Sequence, residues 1–334
     1  VELIHAAAES GCDAVKLQTY TPDTITVKSN KKWFVVGGAK TPKIWKGKTL
    51  YDLYKKAYTP WDWQPKLKKV AESLGLILFS APFDETAVDF LEKMNVPCYK
   101  IASYETNHIP LLKKIAATRK PVIMSIGFAV LPEVEEAVKT LKENGASDIV
   151  VLHCVTAYSS TPKLENTHLA TIDDLAKRFG VVAGFSDNNA GIEIPIISAL
   201  AGASVIEKHL IISRAEGGPD ASFSIEPKEM EVIVQTIRAI EKAFGPGQVT
   251  YQIQKALADV HYGPASRAEE ENKRYRQSIW AVSDIKKGEK LTQDKVKVKR
   301  PAVGLEPKFY EQVLGKTAKV DIELGTPITP GLFE

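Results

Sequence analysis

The chain has 334 residues, 44% of them hydrophobic and 25% charged, with 44 Lys and Arg against 41 Asp and Glu. This composition belongs to an ordinary folded protein and excludes a disordered or collagen-like chain, and a net charge of +3 gives no argument for a nucleic-acid partner. No apolar run reaches the roughly 18 residues that a bilayer-spanning helix needs, so no membrane partner is expected.

The chain opens on Val1–Ser10, whose apolar spacing is helical and which carries no signal-peptide pattern. Short apolar runs then alternate with amphipathic segments. The runs are Ala14–Thr19, Leu76–Pro82, Cys98–Ser103, Pro121–Gly127, Ile149–Val155, Val181–Asp187 and Val205–Ile211. Each is too short for a typical helix and rich in Val, Ile or Leu, as buried parallel strands are. The intervening patterns predict helices over Trp61–Leu74, Thr86–Met94, Ile109–Arg119, Leu131–Gly145, Thr171–Gly180, Ile192–Ala203 and Lys228–Gly245.

Seven strands with eight helices point to a (β/α)8 TIM barrel whose first strand lies upstream of residue 1. The rival is an open doubly wound sheet, but no glycine-rich dinucleotide turn supports it. Tyr20–Pro60, with Gly37, Gly38, Trp45, Tyr51, Tyr54 and Tyr58, is a long excursion of the kind that is usually functional. The barrel is expected over 1–262 and a charged linker over 263–277, with Gly245-Pro246-Gly247 marking the approach to it. A small β-rich domain of short strands and Gly/Pro turns is expected over 278–334. Three cysteines, Cys12, Cys98 and Cys154, lie near or inside apolar runs. The odd count reads as reduced, buried thiols in a cytoplasmic protein.

Polar residues gather at the late ends of the strands, where barrel enzymes carry their chemistry. Two lysines inside apolar strands, Lys16 and Lys100, are costly to bury unless paired. One such lysine reads as a stem that snorkels out of the barrel; two, beside Ser103, Ser125 and Ser186, favour an anion site. Glu105, Glu207 and Asp220 are the candidate carboxylates, with ion pairing to the lysines as the competing reading. Asp187 precedes a helix and also reads as an N-cap. His209 is the best metal candidate of six histidines, with an oxygen ligand from Asp187 or Asn188. His153 reads as core, and His5, His108, His168 and His261 as surface.

These residues sit in motifs that resemble the sialic-acid-synthase family: AVKLQTY (14–20), FSAPFD (79–84), YKIAS-x-E (99–105), MSIG (124–127), LHC with Tyr158, GFSD (184–187), IEKH (206–209) and GGPD (217–220). The C-terminal stretches VSDIKKGE, VKRP and GKTA resemble its antifreeze-like domain. LYDLYKKAYTPWDW (50–63) and GLEPKFYEQVLG (304–315) are similar to the pseudaminate-forming branch. The resemblance implies condensation of phosphoenolpyruvate with an open-chain N-acetylated amino sugar, such as a 6-deoxy-2,4-diacetamido-altrose, to a nine-carbon nonulosonic acid with release of phosphate. It implies that Lys16, Lys100, Ser103, Ser125 and Ser186 hold phosphoenolpyruvate. Gln18, Glu105, Tyr158 and Asp220 orient the sugar or the attacking water. A divalent metal, Mn²⁺ or Mg²⁺, polarises the aldehyde oxygen, with Glu207 beside it and His209 as a ligand. Arg300 reaches the sugar from the partner subunit of a domain-swapped homodimer.

Three departures from the family pattern stand out. Asn188 replaces a second metal histidine, Ala81 replaces a hydroxyl residue, and the strand that carries a family glutamate is absent upstream. The alternatives are an N-acetylneuraminate or legionaminate synthase, or a degenerate homologue that binds sugar or phosphoenolpyruvate without turnover. A third is an interaction protein that binds a carbohydrate or ice surface. For Arg300 the competing reading is a surface pair with Glu306 or Glu311.

Overall fold

The structure, a computed structural model, describes residues 1–36, 47–158, 160, 166–244 and 259–334. Gly37, Gly38, Trp45 and Gly245-Pro246-Gly247 lie outside the described residues. The barrel portion runs α1 (Glu2–Glu9), β1 (Ala14–Thr19), α2 (Pro22–Ile25), α3 (Leu50–Ala57), α4 (Gln64–Ser73), β2 (Ile77–Pro82), α5 (Glu85–Lys93), β3 (Tyr99–Ile101) and α6 (Ile109–Ala116). It continues through β4 (Val122–Ser125), α7 (Leu131–Glu143), β5 (Ile149–Val155), α8 (Ala170–Phe179), β6 (Val182–Asp187), α9 (Glu193–Leu200), β7 (Ile206–Lys208) and α10 (Pro227–Phe244). All seven strands pair in parallel in the order β1 to β7, so each crossover moves one place along the sheet, the winding of a TIM-like barrel.

Local chemistry sets the element ends. Asp84 caps α5 by accepting from the backbone N–H groups of Thr86 and Ala87, and Glu133 folds back on Val130 N to close the start of α7. Gly180 ends α8 in the left-handed region at φ 61°. The alternate residues of the strands and the inner faces of the helices form one large core, including Tyr99, Ile101, Met124, Val151 and Phe185 with Leu111, Val138 and Leu175. Gly184 on β6 is dictated by close approach, because a Cβ there would lie 2.1 Å from the Val205 carbonyl oxygen.

The described residues of the excursion between β1 and α4 form short helices. The excursion supplies α2, a 3₁₀ turn over Lys32–Phe34, and α3, and it receives the C-terminal domain. That domain holds the antiparallel pair β8 (Ser278–Ala281) and β9 (Val296–Lys299), with α11 (Arg267–Asn272) before it and α12 (Tyr310–Val313) within it. Its separate core gathers Ile279, Ile285, Leu291, Val296, Val313, Ile322 and Ile328. The two parts interlock: Trp280 is buried against Phe34 with ring centroids 4.6 Å apart, and Lys299 Nζ donates to the Asp23 and Thr24 carbonyls at 2.6 and 2.5 Å. Bidentate Arg276–Glu133 contacts at 2.6 and 2.9 Å join the connector to α7.

The structure corrects two expectations. His108 is buried, not on the surface: its Nδ1 accepts from Leu111 N and caps α6, and burial pushes its imidazole down to about 4. All three cysteines are free, but only Cys154 is buried, while Cys12 and Cys98 are half-buried. His153 is a core residue, its Nε2 2.6 Å from the Thr167 carbonyl. Among the described residues no helix is long and apolar enough to cross a membrane.

Candidate active site

The strand order places Lys16 on one edge strand and Glu207 on the other, yet Lys16 Nζ lies 3.2 Å from Glu207 Oε1. The sheet therefore curls until its edges face each other, and the polar residues of several strands converge at one end. On β3, Lys100 is buried, and its Nζ donates to Ser125 Oγ of β4 at 2.6 Å and to the Ile101 carbonyl at 2.8 Å. Ser186 of β6 donates to the same Glu207 oxygen at 3.2 Å, and the Ser103 and Ser186 side chains both bond Cys154. Thr106 Oγ1 ties the Ser103 and Ser125 carbonyls together.

This corner is electropositive. Burial pushes Glu207 up, but the Lys100 and Lys16 ammonium groups outweigh it and hold the carboxyl at about 2. Burial brings Lys100 down to about 8, with Glu207 holding it up and Lys16 pushing it further down. Two ammonium groups against one carboxylate, with Ser103, Ser125 and Ser186 around them, leave room electrostatically for an anion. Gln18 lies two residues along β1 from Lys16, on the same face of the strand.

A second cluster sits beside it. Glu105 is fully buried, and Arg300 Nη2, from the end of β9, reaches its Oε1 at 2.6 Å. Arg300 Nη1 donates to the Tyr54 hydroxyl at 3.2 Å, and its guanidinium stacks 5.3 Å from the Phe83 ring and 4.8 Å from that of Tyr104. Tyr20 stands edge-on to both Tyr54 and Phe83. Burial pushes Glu105 up against the pull of Arg300. Glu105 Oε2 and Arg300 Nε are buried with no hydrogen-bond partner. Within the single chain Arg300 meets Glu105, and it does not pair with Glu306 or Glu311, because Arg300 N donates to the Ile25 carbonyl and fixes the turn against the barrel.

The third group is looser. His209 Nδ1 lies 3.6 Å from Asp220 Oδ2, and its ring stands edge-on to Phe223. Burial pushes the imidazole down, with Asp220 pulling it up. Tyr158 packs edge-on against Phe223 and shares a hydrogen bond with Tyr104. Asn188 does not join His209 through its amide nitrogen, which donates to Cys154 Sγ at 3.3 Å. Among the described residues no three His, Cys, Asp or Glu side chains are placed to share one metal ion. The donor set of His209 and Asn188 does not make a metal cage by itself.

Asp187 does not cap the helix that follows, whose N-cap is Ile192. It forms a buried pair with Lys208, Oδ2 to Nζ 2.6 Å, and its Oδ1 accepts from Asn189 N and Nδ2, while Lys208 also donates to the Asn189 carbonyl. Tyr54, Phe83, Tyr104 and Lys208 are the site neighbours that strand-end polarity did not single out. Lys208 alternates with Glu207 and His209, so it lies on the opposite face of the sheet, where its register partner on β6 is Asp187.

Residues 3–249 match the NeuB family, and residues 276–334 match the SAF domain. The chain is 37% identical to the pseudaminic acid synthase of Helicobacter pylori, over 98% of this chain and 91% of that protein. It is 35% identical to the N,N'-diacetyllegionaminic acid synthase of Campylobacter jejuni, over 95% of this chain and 90% of that protein. The crystal structure of the spore coat polysaccharide biosynthesis protein SpsE of Bacillus subtilis superposes with a TM-score of 0.79 at 32% identity, over 98% of this chain and 88% of that one.

Proposed function

Because the chain belongs to the NeuB family, we propose that it is a synthase that condenses phosphoenolpyruvate with an open-chain N-acetylated amino sugar. The product is a nine-carbon nonulosonic acid, and inorganic phosphate is released. The observation that carries this reading is the electropositive corner of Lys16, Lys100 and Ser125 at the strand ends, fitted to a phosphorylated carboxylate.

In the reaction the C3 carbon of phosphoenolpyruvate bonds to the sugar aldehyde carbon. Water adds at C2, and the C–O bond to phosphate breaks, so atoms balance without a redox step. Lys16 and Lys100 hold the phosphate and carboxylate, with Ser103, Ser125 and Ser186 completing the hydrogen bonds. Glu207 stays ionised between the two lysines and orients them. Glu105 and Arg300 each keep a buried polar atom without a partner, and a sugar hydroxyl or acetamido group supplies the matching acceptor or donor. Gln18, Tyr158 and Asp220 flank the space in which sugar and water must meet.

The pseudaminate-type substrate, a 6-deoxy-2,4-diacetamido-altrose, is favoured over N-acetylmannosamine by the likeness to pseudaminic acid synthases and by the aromatic wall of Tyr20, Tyr54 and Phe83. Phosphate release from phosphoenolpyruvate is to be measured with each sugar, with and without Mn²⁺. The expected result is release that depends on a 2,4-diacetamido sugar. No release with any sugar would overturn the synthase reading in favour of a homologue that binds without turnover.

A further inference from the structure

Between the two family-matching regions lies a connector, and one of its acidic residues is buried in the barrel. Glu269 of α11 is 2% exposed, and no Lys or Arg pairs with it among the described residues. Its Oε1 accepts from Thr156 N at 2.6 Å and from Thr156 Oγ1 at 3.0 Å, and its Oε2 accepts from Ala265 N at 2.7 Å. Asn272 Nδ2, one turn on, donates to the Thr156 carbonyl at 2.9 Å. The connector therefore holds the amide, the hydroxyl and the carbonyl of Thr156, the first residue beyond β5.

Two candidate site features depend on where Thr156 sits. Tyr158, two residues on, has φ 50°, a left-handed conformation that a tyrosine adopts only when its surroundings impose it. On the other side, a Cβ at Gly127 would lie 2.7 Å from Thr156 Cγ2 and 2.8 Å from Ser103 Cβ and Oγ, so Thr156 forms the wall against which Ser103 and Gly127 pack. Helix capping accounts for only part of this. Ser266 Oγ accepts from Glu269 N at 3.3 Å, and Ala265 N occupies one carboxylate oxygen, but the other is aimed at the barrel. A carboxyl group removed from water is costly unless it is hydrogen-bonded, and the fixed donors of Thr156 and Ala265 offset that cost.

We propose that Glu269 is a positioning residue for the condensation: through Thr156 it holds Tyr158 and the Ser103–Gly127 wall in working geometry, and so couples the connector to the barrel site. This inference rests on the synthase reading above.

The test compares Glu269→Ala, Glu269→Gln, Asn272→Ala and Ser266→Ala in the full chain. The measurements are thermal unfolding, kcat and KM for both substrates, and amide hydrogen exchange over residues 155–158. Glu269→Ala is expected to lower kcat/KM by about tenfold to a hundredfold at a temperature where it is fully folded, the usual cost of a displaced reacting geometry. Exchange at Thr156 and Tyr158 should quicken with it. Glu269→Gln keeps an acceptor oxygen and should recover most of the rate. Ser266→Ala removes only the cap, so it should unfold earlier with unchanged kinetics. Earlier unfolding of Glu269→Ala with wild-type kinetics and exchange would overturn the proposal and leave a cap residue. If Glu269→Ala does not fold, Asn272→Ala decides, since wild-type kinetics and exchange in it would overturn the proposal. If the wild-type protein turns over no sugar, the synthase reading falls separately. Exchange at Thr156 and Tyr158 then still decides: quickening confined to them supports the positioning role, and no change overturns it.

Discussion

Lys16 Nζ and Glu207 Oε1 lie 3.2 Å apart, although they stand on β1 and β7, the two ends of the strand order. That ion pair bridges the sheet edges and sets the charge on Lys100, which Glu207 holds up and Lys16 pushes down. Phosphoenolpyruvate binding should therefore weaken as pH rises through about 8, where Lys100 loses its proton. Stability moves the other way. Between about 8 and the ordinary 10.5 the unfolded chain keeps a proton that the folded chain has released, so this residue makes folding more favourable as pH rises. Calorimetric titration with phosphoenolpyruvate from neutral pH upward checks the first part, and urea unfolding over the same range checks the second. Glu207→Gln should move the loss of binding to lower pH; an unmoved midpoint would mean that the two groups do not interact.

Lys100→Ala and Lys16→Ala should each weaken phosphoenolpyruvate binding while the chain stays folded. Loss of a charge-assisted contact amounts to about 1.5–3 kcal/mol. Normal affinity in both variants would assign the lysines to structure and remove the anion site.

Arg300 meets Glu105 within the single chain, and a site completed in this way has consequences for how variants combine. Removal of either partner leaves the other buried and uncompensated, a loss of about 3–5 kcal/mol, and both single variants should be nearly inactive. When Lys100→Ala and Arg300→Ala proteins are mixed, every site then carries one defect, and activity should not return. Restored activity on mixing would mean that Arg300 completes the site of a partner subunit.

Gly127→Ala tests the packing of the wall directly. The added Cβ would overlap Thr156 Cγ2 and Ser103, so one of them must shift. The expected cost is about 1–3 kcal/mol of stability together with a fall in kcat/KM. Wild-type kinetics in a folded Gly127→Ala would show that Ser103 and Thr156 can give way without consequence.

The Asp187–Lys208 pair should behave as a coupled unit. Asp187→Asn and Lys208→Met each break a buried pair and should destabilise by about 3–5 kcal/mol, whereas the double variant should lose less than the sum. Denaturant unfolding of the three variants measures the coupling; strict additivity would mean that the two side chains do not support one another.

The strands were legible because their signal is local. A short run of Val, Ile and Leu with polar residues at its late end has one stable place in a parallel sheet, and β1 and β5 begin and end where their residue patterns do. Lys16 and Lys100 stood out for the same reason, since a lysine in an apolar strand needs a partner. The partners themselves were not legible. Whether Asp187 caps a helix or pairs with Lys208 depends on the register of β6 against β7. Whether His108 faces water depends on what packs over α6. Arg300 meets Glu105 across 195 positions and Glu269 meets Thr156 across 113, distances over which residue spacing carries no information. Those contacts were decided by the curl of the sheet and by the path of the connector over it. Burial and charge pairing act between neighbours in space, whereas the periodicity of a sequence records only neighbours along the chain.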